Sequence, residues 1–492
     1  NTLQTSRTLL AFLILYMPTT AFQWRWITVA SLLSFVVGIG FFCPRYVLWR
    51  GLDIPQARYN PEVHRAYYRL QQIEHPFDPI ENENNRAMRW RLLFPLVAHY
   101  LHLPRNVLFA LPFIGCLLAL GLTTYVVLRE TGSTLLALLS SMLAATTSWF
   151  FVSTGWLSYF DSWYILGLLC VSFIRNKTTI VVCCLLVPWI DERFILGLPL
   201  AFTVRTAVFR WVEDGKVAQL FRETGLACFV VAPYLLIRLA LLVFAQDANS
   251  SGHFTDHYDM LFLHNQAYLS GLWHGLRAGW VPVLACVLLA YGNRGIKFKI
   301  AGAIIVVFTL FINRFLAADF SRSVSVLVPC VLLGPILIAR HRPSLALGVT
   351  AFALLVNLLT PARHINSIFS VDIHNALHER EQANNPPNSV NPVFYNQYGI
   401  KLFKENDVDG AESFFTGALH LAQDNPPPDN APALIANIYW NRANLYANSS
   451  MWLKALPDLE DALKNAPADW NRRDVVKSFA AEISKRYQPP QE

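Results

Sequence analysis

A succession of apolar runs separated by short charged gaps limits this chain to very few folds. Crossing the hydrocarbon core of a bilayer as a helix takes roughly 20 apolar residues. Runs of that order occupy 26–43, 105–128, 133–152, 157–174, 223–246, 300–318, 321–339 and 343–360. Shorter runs occupy 8–23, 178–190, 194–209 and 278–292. The sequence therefore predicts an all-α protein, a polytopic transmembrane helix bundle of 11 or 12 spans. Charged residues make up only 15% of the chain, well below the roughly 25% of soluble domains.

The gaps carry a pattern of their own. All four lysines of the first 390 residues, Lys177, Lys216, Lys297 and Lys299, fall in gaps that can share one side of a membrane. Lysine and arginine in short loops mark the cytoplasmic side. The gaps 175–177, 205–222, 294–299 and 340–342 then read as inner. Loop 45–92, the bend Asp191-Glu192-Arg193, loop 247–276, the turn from Asp319 to Arg322 and everything after about 361 read as outer. Residues 8–22 lack a small-residue cleavage pattern and are not read as a signal peptide. The formal charge of +7 is uneven: from Asn391 onward 10 basic residues face 13 acidic ones, so the first 390 residues carry +10.

The domain organisation expected is a membrane part over 1–360, a linker over 361–392 and a soluble helical-repeat domain over 393–490. Loop 45–92 holds eight arginines, no lysine and six carboxylates. Its end, Trp90 to Leu103, reads either as an amphipathic helix in the membrane interface or as a short core helix. Asn384-Asn385-Pro386-Pro387-Asn388 breaks any helix in the linker. Beyond it, Tyr398-Gly399, Leu402, Ala411, Phe415 and Ala418 fit one tetratricopeptide unit. Ala443, Tyr446, Ala455, Leu459, Ala462 and Pro467 fit a second, and 471–487 supplies a closing helix. Such a domain binds proteins or peptides.

Several charged groups share the outer face under this topology. They include Asp53, Asp78, Arg86, Arg89 and Arg91 in the first loop, Asp161 at a helix start, the Asp191-Glu192-Arg193 bend, and Arg314, Asp319 and Arg322 at another turn. Ionisable groups at membrane depth are paired or functional. The runs flanking the bend are short: 13 residues span about 20 Å, less than the roughly 30 Å hydrocarbon core, so the bend is expected below the outer surface. Each group also has a structural reading: the bend as a self-neutralised tip, Asp161 as a helix cap, and Arg86 and Arg89 paired with Glu81 or Glu83. His253, Asp256, His257 and Asp259 have metal-like spacing, so a divalent metal is a candidate ligand there, without further ligands in view. No cofactor is otherwise implied. No phosphate-binding Walker loop, dinucleotide fingerprint, nucleophile elbow or His-Glu-x-x-His occurs, and nothing points to nucleotide or nucleic acid.

The many spans, the long first outer loop with its interfacial stretch and the C-terminal repeats together resemble the GT-C superfamily of membrane glycosyltransferases, in particular its tetratricopeptide-bearing branch. The resemblance is architectural. It implies an integral protein of an inner or plasma membrane, with its C-terminal domain extracytoplasmic. It implies sugar transfer from a polyprenyl-phosphate donor, with membrane lipid, a lipid-linked sugar and a protein docked on the repeats as partners. A carboxylate would take the acceptor proton, Asp53 first and then Asp191 or Asp78. Arg86, Arg89, Arg193 and Arg322, with Glu192 and Asp161, would bind substrate. The chain departs from the family in having no adjacent Asp-Glu pair after its first span. Two other readings use the same features: a non-catalytic scaffold or accessory subunit that recruits partners through the repeats, and a transporter or polymerase of lipid-linked oligosaccharides.

Overall fold

The computed structural model describes residues 21–42, 44, 64–78, 89–211, 214–244, 265–290, 296–316, 319–365, 370–373, 392–404, 408–424 and 431–486. The chain divides into two compact units. One comprises Asn1–Pro44, Glu81–Thr154 and Tyr159–His374; the other comprises Arg45–Ile80, Gly155–Ser158 and Asn375–Glu492.

The first unit is a helix bundle. Its helices coincide with every predicted apolar run except 8–23, which lies almost wholly outside the described residues. Among the described residues, five are long and apolar enough to cross a membrane: Gln23–Phe42, Arg105–Thr131, Val217–Ala240, Tyr268–Leu289 and Phe320–His341. A sixth arises if Thr134–Ala145 and Ser148–Gly155, bent by 61° at their junction, are taken as one span. The described residues thus supply five or six of the 11 or 12 spans expected, and several of the remaining apolar helices are shorter. Asp161–Phe173, Lys177–Trp189 and Pro343–Leu359 have between 10 and 17 residues.

Local chemistry sets these boundaries. Gly132, at φ 68°, ends Arg105–Thr131 in the left-handed conformation open to glycine, and the Ser133 hydroxyl accepts the Leu136 N–H to start the next helix. At the 61° bend, the hydroxyls of Thr146 and Thr147 donate to the Leu143 and Ala144 carbonyls at 2.9 and 2.8 Å. These carbonyls also accept the Thr146 and Thr147 N–H groups at 3.2 and 3.3 Å, so the last turn closes tightly before the bend.

Phe320–His341 forms the centre, with 94% of its apolar window buried, against 22% for Val217–Ala240. That outer helix exposes Phe221, Phe229, Leu235, Leu236, Ile237 and Leu239. Water would penalise so large an apolar face, and lipid does not. The pattern is that of a membrane protein.

Within the stretch expected as linker, Arg363–Ile365 pairs antiparallel with Ser370–Asp372, and the Ile365 N–H donates to the Ser321 hydroxyl at 3.0 Å. The hairpin is thus pinned to the bundle. The interfacial stretch resolves as Leu93–Tyr100, which buries Phe94, Pro95 and Ala98 while Val97, Tyr100 and Leu101 stay exposed. One face of that stretch is thus packed in the bundle and the other is open.

In the second unit, Pro392–Lys404 packs on Val408–Asp424, and Ala431–Asn448 on Trp452–Asn465, before a last helix Arg473–Arg486. Leu402, Ala411, Phe415 and Ala418 are buried, as are Ala443, Tyr446, Ala455, Leu459 and Ala462. Arg442 ties successive pairs together through Asp458, at 2.7 Å on both oxygens, and Thr416 at 2.9 Å. His64–Glu74, from the first long loop, belongs to this unit.

Gly334 lies where Phe320–His341 crosses the Tyr268–Leu289 span. A Cβ there would meet the backbone carbonyl of Pro282, with the carbonyl carbon only 2.7 Å away. Gly348 has nothing within 4 Å. Gly334→Ala is expected to lose about 1–3 kcal/mol or more. Gly348→Ala should be neutral or gain up to about 1 kcal/mol. Unfolding of the two variants in detergent checks the contrast.

Candidate functional site

One end of the bundle gathers ionised side chains from four distant stretches. Asp161 opens the helix Asp161–Phe173. Asp191 and Glu192 form the turn before Arg193–Val208, and the Asp191 carboxylate accepts the Arg193 N–H at 3.0 Å, which anchors the start of that helix. Arg322 lies in the short helix Phe320–Ser323, and Arg91 just precedes Leu93–Tyr100. The Phe94 ring, tilted against Phe160 at 4.5 Å and Trp163 at 5.4 Å, holds that approach in place.

The pairing is dense. Arg322 forks onto Asp161 with Nε at 2.6 Å and Nη2 at 2.7 Å, and reaches Asp191 at 3.4 Å. Arg193 donates to Asp161 at 2.7 Å and to both Asp191 oxygens at 2.8 and 2.6 Å. Arg91 forks onto Glu192 at 3.0 and 2.7 Å and lies 3.2 Å from Asp191. Asp161 is fully buried, and Asp191, Arg193 and Arg322 are at most 6% exposed. The guanidinium groups of Arg193 and Arg322 each lie 4.7 Å from a ring, Tyr164 and Tyr159 respectively. Burial alone would push the Asp191 carboxyl up, but the positive charges of Arg193 and Arg91 outweigh it and hold it well below the usual carboxylate range. Burial likewise opposes ionisation of Glu192, and Arg91 reverses that effect.

A second array adjoins the first. Ser321 accepts the Ile365 N–H, and its hydroxyl shares a 3.2 Å hydrogen bond with His364 Nδ1. The other ring nitrogen, Nε2, faces Asp319 at 3.1 Å. Asp319 also lies 3.8 Å from Arg322, which joins the two arrays. Burial pushes the Asp319 carboxyl up; His364 and then Arg322 override it and hold it at about 2, against an ordinary 3.8.

Among the expected site residues, Asp161, Asp191, Glu192, Arg193 and Arg322 come together. Their roles shift, however. Arg193 and Arg322 commit their donors to carboxylates, so the substrate-binding role expected of them gives way to charge balance. Asp191, ion-paired on both oxygens, is likewise ill-suited to take a proton. Asp161 does not cap its helix: the residue at the cap position is Phe160, without a side-chain cap. Asp78 is exposed in the other unit, 3.8 Å from His75. Asp53 and Arg86, like the His253, Asp256, His257 and Asp259 set, lie outside the described residues.

Sequence reasoning gave no partners to Arg91, Asp319 or His364, and it overlooked Arg238. The last sits near the end of the outer helix Val217–Ala240, where its guanidinium lies 5.7 Å from the Trp90 ring; Arg89 lies 4.9 Å from the same ring. Comparison of the chain with family models, curated proteins and solved structures finds no match.

The opposite ends of the same helices carry a separate set of charges. Arg205, near the end of Arg193–Val208, pairs with Glu223 at 2.7 Å and donates to the Val171 and Arg175 carbonyls. Arg340 pairs with Glu130 at 3.0 Å. The gaps that charge assigns to opposite sides of a membrane thus meet at opposite ends of the bundle.

Breaking a buried pair from one side leaves an uncompensated charge. Arg322→Met alone is expected to cost about 3–5 kcal/mol. Asp161→Asn with Arg322→Met should cost less than the two single changes added, by about 0.5–3 kcal/mol. A double-mutant cycle on detergent-solubilised protein measures this.

The depressed Asp319 carboxyl has a definite pH signature. A folded-state value below the unfolded one stabilises above 3.8 and is lost as pH falls toward 2. The stability difference between wild type and Asp319→Asn should therefore be constant above about pH 5 and shrink as pH drops below about 4. Unfolding curves of both proteins across that range provide the check.

Proposed function

We propose that the chain is a membrane glycosyltransferase that moves a sugar from a polyprenyl-phosphate donor to an acceptor hydroxyl at the extracytoplasmic face. One observation carries the reading: Arg89, Trp90 and Arg238 meet beside the buried ion network, on a helix whose neighbouring residues Leu235, Leu236, Ile237 and Leu239 are exposed. An arginine at that depth is costly unless it meets a polar partner. Its planar fork suits a phosphate, and a lipid-borne phosphate approaching from the bilayer would arrive there.

The division of labour follows from the charges. Arg91, Arg193 and Arg322 face four carboxylates, Asp161, Asp191, Glu192 and Asp319, so the network has no positive surplus for a substrate. It serves to hold the floor of the site rigid. Arg89 and Arg238, with Arg86 of the same loop, would hold the donor phosphate. Asp53 would take the proton from the acceptor hydroxyl. The acceptor oxygen then bonds to the sugar carbon as the bond from that carbon to the phosphate oxygen breaks, with inversion, and polyprenyl phosphate leaves. The paired helices of the second unit, read as tetratricopeptide-like repeats, would dock a protein acceptor or partner.

The scaffold reading keeps a specific observation in its favour, because Asp161 and Asp191 are fully engaged in ion pairs. Mass spectrometry of lipids extracted from the purified protein separates the two. The enzyme reading expects polyprenyl-phosphate sugars to copurify and to fall about tenfold in an Arg89→Ala/Arg238→Ala variant. Asp53→Asn should retain the lipid yet lose sugar transfer in membranes. Absence of such lipid, together with full transfer in Asp53→Asn membranes, would leave the scaffold.

A further inference from the structure

Four helices, Arg105–Thr131, Asp161–Phe173, Arg193–Val208 and Val328–His341, finish at the end of the bundle away from the ion network. The last carbonyls of a helix lack partners, and its C-terminus is the negative end of its dipole. Two arginines answer that need. Arg129 donates to the Phe173 carbonyl at 3.3 Å, and Arg340 to those of Ala207 and Val208 at 3.4 and 3.1 Å. Glu130 holds both guanidinium groups, at 2.7 and 3.0 Å.

Capping of helix ends does not account for the rest of this region. Arg175 and Arg210, both exposed, line the same opening of about 520 Å³ as Arg129 and Arg340. The Arg175 guanidinium lies 5.6 Å from the Phe209 ring, which fixes its side chain along the wall. Arg210 adopts a left-handed backbone, φ 52°, that non-glycine residues rarely take. Strain of this kind is held where a particular side chain is wanted. Among the described residues lining the cavity, four guanidinium groups face the two carboxylates of Glu130 and Asp214, an excess of two positive charges.

We propose that this cavity binds a phosphate group. Arginine forks match phosphate oxygens, and basic pockets between membrane helices take phospholipid headgroups. The phosphate comes either from an anionic lipid or from a soluble phosphate, and the site is independent of the glycosyl-transfer reading.

The test uses the full chain in detergent, with the rise in unfolding temperature as readout, titrated with phosphatidylglycerol or with inorganic phosphate. Diacylglycerol, which lacks the phosphate, and chloride at equal ionic strength are the controls. Saturable stabilisation is expected. Arg175→Ala and Arg210→Gly should each weaken it about tenfold; glycine suits the Arg210 backbone, so that variant keeps its fold. Asp214→Asn, by removing a like charge, should tighten binding several-fold. A response to the lipid alone assigns a headgroup site, and a response to inorganic phosphate as well assigns a soluble phosphate. Equal stabilisation by the controls, unchanged binding in both arginine variants, or weaker binding in Asp214→Asn would overturn the proposal and leave these arginines as helix caps.

Discussion

Three guanidinium groups and their carboxylate partners, buried at one end of the bundle, have to neutralise one another. None could leave water alone without a penalty of several kcal/mol, roughly the stability margin of a whole domain. Their mutual pairing therefore fixes where five stretches of chain meet, from Arg91 through Asp161, the 191–193 turn and Arg322 to the hairpin that carries His364. The apolar middle of the bundle is interchangeable by comparison. Leucine and valine pack against many neighbours with little preference, whereas a forked arginine on a carboxylate accepts few geometries. Phe320–His341 shows the principle most clearly: it is the most buried span, and it is held at one end through Arg322 and at the other through Arg340.

Much of this was readable in the sequence, because the signals are local. Apolar runs located the helices, and alternating charge put Asp161, the Asp191-Glu192-Arg193 turn and Arg322 on one face. What the sequence withheld was pairing. Arg91 is one of eight arginines in its loop, and nothing near it in sequence announces Glu192, 101 residues away. His364 had no visible partner because Ser321 and Asp319 reach it only through a hairpin within the stretch expected as linker. Arg238 was concealed within an apolar run. Helix length was misjudged where runs contain a break that hydropathy averages over, as at Thr146-Thr147.

Arg277 is a further case in which structure overrides composition. It is buried, has a left-handed backbone at φ 50°, and no carboxylate pairs with it among the described residues. The Thr146 and Thr360 carbonyls take its donors, and its guanidinium lies 4.6 Å from the Phe41 ring. Carbonyl dipoles and a ring face thus do for Arg277 what carboxylates do for Arg322. The sequence, which shows only an arginine before an apolar run, does not separate the two cases.

The buried charge clusters at the two ends of the bundle differ in balance, and that difference bears on orientation. Around the buried network four carboxylates meet three arginines. The other end carries Arg129, Arg175, Arg205, Arg210 and Arg340, with Lys177 and Lys216, against Glu130, Asp214 and Glu223. Positive charge in short loops is retained on the cytoplasmic side during insertion, while acidic residues contribute little. The surplus lies at the end that holds the arginine-lined cavity, the end expected from the sequence to be cytoplasmic. Asp161–Phe173 spans about 20 Å at 1.5 Å per residue, less than the roughly 30 Å hydrocarbon core, so in a bilayer its charged start would need protein neighbours to neutralise it. Dense pairing at that end therefore follows from helix length as well as from charge.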